Sequence, residues 1–275
     1  MKTVAVLYSG GRQWGGIETY LLNLFRLNDG RRVNLVLISM GSWELTRVVA
    51  GEPGAAAGTA AGAPAASGAP AAGSPKVRVL SGRRIRPRTV WEIRRVLKEE
   101  GAGLLVSQGV VANAYARAAA TLSGVPSLVV VHSDLAADYP RRLVRWSYLL
   151  VDRVLRRATT HYIAVAQYLK QRLVASGVDA RRVKVIYNGV DSGSSAGGGE
   201  GDREKGDVSK VRAGTSASTP AAGGITLVSL GRLHPVKNFD GLIEAMSLLP
   251  ERVRLEIWGD GPERERLEAL IAARG

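Results

Sequence analysis

The amino-acid sequence predicts an α/β protein built on doubly wound parallel sheets, on three observations. Short apolar runs rich in Val, Ile and Leu alternate with longer stretches of helical periodicity, as expected of strands buried on both faces by flanking helices. Several runs end at a glycine or polar residue just before a helical pattern starts, where parallel sheets collect ligands. Two tracts dominated by Ala, Gly, Pro and Ser, at 51–75 and 192–224, divide the 275-residue chain. They set a first domain at 1–191 apart from a second that begins at 225.

In chain order, residues 3–8 (TVAVLY) are too continuously apolar for a one-sided sheet and read as a central strand. SGGRQWGG at 9–16 is a loop, and Ile17, Tyr20, Leu21, Leu24 and Phe25 share one face of a helix over 17–27. A second strand spans 33–39. The tract at 51–75 has no periodicity and too little apolar surface to offset its ordering entropy, so it reads as a flexible insertion. Strands at 76–80, 103–107, 127–131, 161–165 and 182–186 then alternate with helices at 89–100, 110–123, 139–158 and 166–176. The tract at 192–224, carrying GSSAGGGEGDREKGD, reads as a disordered linker. Beyond it come a strand at 225–230, a helix carrying Leu242, Ile243, Met246 and Leu249, a strand at 252–258 and a helix at 262–274. Two such units do not bury both faces of a parallel sheet, so the second domain is expected to be incomplete.

The chemistry gathers at strand ends. In LVSLGRLHPVKN (227–238) a glycine turn at Gly231 is followed by Arg232 and, five positions on, Lys237. Arginine brings a planar fork of donors and lysine a mobile point charge, so the pair can clamp a diphosphate, or simply be solvated cations in a basic protein. Gly15 and Gly16 let backbone N–H groups approach a phosphate or sugar at the positive end of the first helix; a plain turn is the other reading. The spacing is not GxGxxG, which disfavours a dinucleotide cofactor. His132 stands at the end of the 127–131 strand, where a ligand contact competes with simple packing. Asn188–Gly189 reads as a turn in which both residues tolerate positive φ, with a direct ligand contact the lesser reading. Asp134 reads as a loop carboxylate.

Hydrophobic content of 45% and mean hydropathy near zero indicate a soluble globular chain. Zero cysteines exclude disulfides and thiolate metal sites and fit a reducing compartment. MKTVAVLYSGG lacks the features of a signal peptide, and no apolar run approaches the roughly 20 residues that span a bilayer. A cytoplasmic location is expected, with peripheral association at the inner face of the membrane compatible with it. The formal net charge is +14, with arginines clustered at 81–98 and 140–158. The second cluster interleaves arginines with Leu143, Trp146, Leu149, Leu150 and Leu155. That amphipathic pattern suits a membrane surface, but a helix packed on its own sheet is the favoured reading. No zinc-finger or RNA-binding fingerprint accompanies the charge, so no nucleic-acid partner is expected.

Four ordered segments resemble one family. GGIETYLLNL (15–24), VVVHSD (129–134), VIYNGVD (185–191) and GRLHPVKN with IWGDGPERERLEAL (231–238 and 257–270) are similar to segments of the retaining, nucleotide-sugar-dependent glycosyltransferases of family GT4. The resemblance implies a GT-B fold of two Rossmann-like domains, the first for the acceptor and the second for the nucleotide-sugar donor. It implies transfer of a sugar to a glycan or lipid-linked acceptor with retention of configuration, the leaving phosphate assisting proton removal. His132 would hydrogen-bond the transferred sugar, Gly15 and Gly16 would lie near the donor, and Arg232 and Lys237 would neutralise the diphosphate. No cofactor or metal is expected, and the chain contains no Asp-x-Asp. The family's paired glutamates, eight positions apart, find no match after Gly261, so the chain is expected to be truncated within the donor domain. The alternative is a non-catalytic module that binds an anionic lipid, a glycan or a partner subunit.

Overall fold

A computed structural model of the chain describes residues 1–10, 14–52, 75–80, 86–134, 142–189, 210–213 and 224–274. It separates into two compact units, Met1–Gly198 and Gly199–Gly275. Among the described residues no helix is long and apolar enough to cross a membrane. Most of the insertion expected at 51–75 and most of the linker expected at 192–224 lie outside the described residues.

The first unit is one seven-stranded sheet. Its strands are β1 (Lys2–Tyr8), β2 (Val33–Ser39), β3 (Lys76–Val79), β4 (Ala102–Gln108), β5 (Ser127–Val131), β6 (His161–Ala164) and β7 (Val183–Val185). They lie in the order β3-β2-β1-β4-β5-β6-β7, and every pair is parallel. The helices are α1 (Gly16–Leu27), α2 (Glu44–Ala50), α3 (Arg88–Glu99), α4 (Val110–Ser123), α5 (Arg142–Leu155) and α6 (Gln167–Ala175).

The period of two along β1 explains why its whole run is apolar. Ala5 and Leu7 face a core with Ile93, Leu97 and the alanines Ala112, Ala116 and Ala119 of α4. Val6 and Tyr8 face the other core, with Leu21, Leu22 and Phe25 of α1 and Leu45 and Val49 of α2. Strand order reverses between β1 and β4, so the crevice for a ligand opens at their carboxyl ends.

The second unit has β8 (Lys210–Ala213), β9 (Ile225–Leu230) and β10 (Val253–Trp258) in the order β8-β10-β9. β9 pairs parallel with β10, and β8 pairs with it antiparallel. Helices α7 (Phe239–Met246) and α8 (Arg264–Arg274) cover one face. The core there is Leu233, Phe239, Ile243, Leu255, Ile257 and Leu267, while Ile225, Leu227, Val228 and Leu230 of β9 are exposed.

Three sequence expectations change. Residues 210–213 form a strand inside the tract expected to be disordered; four residues with two cations give too short a signal to be read alone. Helix α2 lies at the edge of the first low-complexity tract. Gly51, at φ 70°, closes it by donating its N–H to the carbonyls of Arg47 and Val48, so the glycine is a helix stop rather than the start of the tract. Finally, α5 is not buried by its own sheet: Leu143, Trp146, Leu150 and Val154 are all exposed.

Candidate functional site

In the first unit the predicted residues meet at the carboxyl ends of the central strands. β4 ends in Gln108, and β5 leads into His132. Nε2 of His132 lies 2.7 Å from Oε1 of Gln108. With an amide oxygen as acceptor, Nε2 carries the proton, and Nδ1 keeps its lone pair. The ring also meets the edge of Tyr20 of α1, centroids 4.9 Å apart. Burial lowers the His132 pKa to about 4, so the imidazole is neutral at pH 7 and acts as a hydrogen-bonding group rather than a cation. The same burial raises the Tyr20 pKa. Gln108 is itself 1% exposed, and its amide nitrogen has no hydrogen-bond partner among the described residues.

This burial has a consequence for stability. Between pH 6.5 and 4 the unfolded chain takes up a proton at residue 132 and the folded chain does not. Stability therefore falls as the pH drops through that window and is regained above it. The ring is partly solvent-accessible, which limits the effect to roughly 1–2 kcal/mol. His132→Gln is expected to lose less stability than the parent over this interval in thermal melts. Parallel losses in the two proteins would show that the ring is not desolvated.

At the N-terminus of α1, Gly15 is the cap residue and Glu18 the third helical residue. The Glu18 carboxylate accepts from the Gly15 N–H at 2.9 Å and from the Tyr8 hydroxyl at 2.7 Å. The sequence left the Gly15 N–H to a ligand or to a plain turn; in the fold the Glu18 side chain already accepts from it. What remains open is Gly16: a side chain there would meet nothing within 4 Å among the described residues. A glycine that neither packing nor backbone requires leaves room for something else to approach. Asn188 and Gly189 do not form a left-handed turn, since neither has a positive φ. Asp134 is a loop carboxylate that accepts from Nε of Arg172 at 2.8 Å.

In the second unit, Arg232 and Lys237 occupy one turn between β9 and α7. Beyond the strands, the chain at Gly231–Leu233 runs alongside Gly259–Gly261 backbone to backbone. The Gly231 N–H donates to Trp258 O at 3.0 Å and the Leu233 N–H to Asp260 O at 2.8 Å. A Cβ on Gly259 would fall on the Gly231 carbonyl oxygen, so glycine is obligatory for this approach. Leu233 points into the core and is fully buried; the alternation of an extended chain turns Arg232 the other way, and it is exposed. Lys237 closes a short 3-10 turn, Pro235–Lys237, and Asn238 at φ 54° turns the chain into α7. Lys237 is exposed as well.

The structure thus gathers Gly15, Gly16 and His132 in one unit and Arg232 and Lys237 in the other. Sequence reading missed Glu18 and Gln108. Gln108 had a signal: like His132, it is a polar residue closing an apolar strand, LLVSQ. Glu18 had only a weak one, because its role depends on Tyr8, ten residues away.

Comparison with known proteins adds to this geometry. A family profile described as Glycosyltransferase Family 4 matches residues 14–193, and one described as Glycosyl transferases group 1 matches residues 216–275. No curated protein matches the sequence. Among solved structures, HepE of Anabaena in complex with UDP is 18% identical with a TM-score of 0.66, covering 99% of this chain and 66% of its own. The lipopolysaccharide outer core galactosyltransferase WaaB is 17% identical with a TM-score of 0.58, covering 98% and 64%. Sucrose-phosphate synthase from Thermosynechococcus elongatus is 12% identical with a TM-score of 0.60, covering 99% and 68%. The chain therefore spans about two thirds of the length of these proteins, and at such identities the likeness establishes an α/β fold of GT-B type.

Proposed function

The chain belongs to glycosyltransferase family 4, and from that premise we propose that it takes part in moving a sugar from a nucleotide-diphosphate donor to a glycan or lipid-linked acceptor, with retention of configuration. The observation that carries this reading is the turn at 231–238, where Arg232 and Lys237 stand exposed on a backbone locked by Gly259 and Leu233. Two cations on a rigid turn suit a leaving diphosphate whose charge grows as the sugar–phosphate bond breaks. HepE, a protein of the same fold, has been crystallised with UDP.

In this reading the neutral His132, oriented by Gln108, hydrogen-bonds a hydroxyl of the transferred sugar, and the open space at Gly16 admits the substrate. With Glu18 holding the Gly15 N–H, the α1 terminus suits a sugar hydroxyl better than a phosphate. The leaving phosphate receives the acceptor's proton, and no protein general base is assigned. Cations take the part that a metal plays elsewhere, so EDTA is expected to leave transfer intact, and a strict divalent requirement would overturn that part of the proposal.

Thermal melts of the chain with UDP, GDP and ADP test the reading directly. A nucleotide at 100 times its Kd adds about 2.7 kcal/mol, a readable shift. One nucleotide is expected to raise Tm and so to name the donor base. No shift with any of the three would favour a non-catalytic module.

A further inference from the structure

Helix α8 begins on a residue of the wrong charge. Its first position is Arg264, and a cation there opposes the positive end of the helix dipole. A residue that breaks a local preference in this way needs a compensating contact. The contacts run backwards, onto the strip of chain between β10 and α8. Nη2 of Arg264 donates to the Gly259 carbonyl at 2.9 Å, and Nε donates to Asp260 Oδ1 at 3.0 Å. The same Oδ1 accepts from the Gly261 N–H at 2.8 Å. One planar guanidinium therefore ties together Gly259, Asp260 and Gly261, which the point charge of a lysine is poorly shaped to do.

That strip is what the cation turn lies against. The Asp260 carbonyl takes the Leu233 N–H, and Glu263, next to Arg264, donates its N–H to the Leu233 carbonyl at 3.1 Å. A Cβ on Gly261 would fall on that same carbonyl, as one on Gly259 would on the carbonyl of Gly231. At such close approach 259–261 and 231–233 cannot shift independently, and Arg232 emerges from the middle of the second stretch. The Arg264 side chain is only 24% exposed, and its other carboxylate, Glu268, stands farther off at 3.5 Å. A surface ion pair would need the carboxylates alone; the grip on the Gly259 carbonyl is the contact that reaches the turn.

We propose that Arg264 is a positioning residue for Arg232: by bracing Gly259–Gly261 it fixes the turn from which Arg232 reaches a diphosphate. This role rests on the reading of Arg232 as a diphosphate contact and extends it to a side chain that does not itself touch the nucleotide.

Two measurements on the full chain test it. The first is amide exchange at Gly231 and Leu233, for the parent beside Arg264→Met and Arg264→Lys. Losing a hydrogen bond made by a charged group should speed exchange at Leu233 roughly tenfold or more in the methionine variant. The amides of α7 should be unchanged, which is the control for folding. Arg264→Lys keeps the charge but not the fork, so exchange there should also quicken, by a smaller factor; should the methionine variant not fold, the lysine variant carries the same readings. The second is calorimetric titration with UDP, GDP and ADP. Arg264→Met is expected to weaken whichever nucleotide the parent binds about tenfold, yet less than about twofold once Arg232 is already alanine, because nothing is then left to position. Parent-like exchange at Leu233 in both variants would overturn the proposal. So would equal losses of affinity with and without Arg232, which would make Arg264 an independent contact. If no nucleotide binds the parent, the donor reading fails, and the exchange at Leu233 still decides whether Arg264 fixes the turn.

Discussion

Asp152→Ala is expected to destabilise the first unit by about 3–5 kcal/mol. The reason is the partner it leaves behind. Arg117 is 2% exposed on α4, among alanines that bring the neighbouring elements close. Its guanidinium meets Asp152 Oδ1 at 2.8 Å and donates through Nε to Thr159 Oγ1 at 2.7 Å. Without the carboxylate the buried charge keeps, among the described residues, only the Thr159 hydroxyl. Arg156, which shares Asp152 at 2.8 Å, is less buried, and its loss leaves Asp152 paired with Arg117, so Arg156→Ala should cost nearer 1 kcal/mol. The discriminating experiment is urea denaturation of Asp152→Ala beside Arg117→Met/Asp152→Ala. If the buried charge is the cause, the double variant recovers most of the loss. A single variant within 1 kcal/mol of the parent would mean that the pair does not hold α5 to α4.

That ion pair also shows where sequence reading stops. Strand limits at 33–39, 127–131 and 225–230 were legible because each apolar run is closed by a residue of different chemistry. The alanines of α4 were legible as a helix, and the parallel class followed from alternation. The fate of α5 was not: its periodicity establishes that it has an apolar face, but the same pattern serves a helix buried on a sheet and one turned outward. The difference lies in Arg117 and Asp152, 35 positions apart in sequence, which settle which side faces the fold. Glu18 is a similar case. GGIETY suggested a ligand-facing glycine, and only the approach of Tyr8 showed the carboxylate turned back onto Gly15. The cation pair at 232 and 237 was readable as a spacing, whereas the reason it stands on a rigid turn, the approach of Gly259 to Gly231, comes from a strand 28 residues later.

Removing those cations should have the largest effect on transfer. Arg232→Ala and Lys237→Ala are each expected to lower kcat by about 10²–10³-fold, near 3 kcal/mol apiece, if both stabilise charge that develops on the leaving diphosphate. Neither side chain fills the core, a task left to Leu233 and Phe239, so both variants should melt like the parent without nucleotide. The two effects should not add fully, because groups that act on one diphosphate share its charge. Arg232→Lys separates geometry from charge. If the planar fork matters, lysine recovers little; if only charge matters, most of the rate returns. Because the negative charge is greater in the transition state than in the bound donor, kcat should fall more than KM rises. The measurement is initial rate with the nucleotide sugar whose base shifts Tm, for the parent and the three variants. Rates within threefold of the parent would remove Arg232 and Lys237 from the chemistry. A rise in KM at constant kcat would leave them as binding groups that act equally before and during bond cleavage.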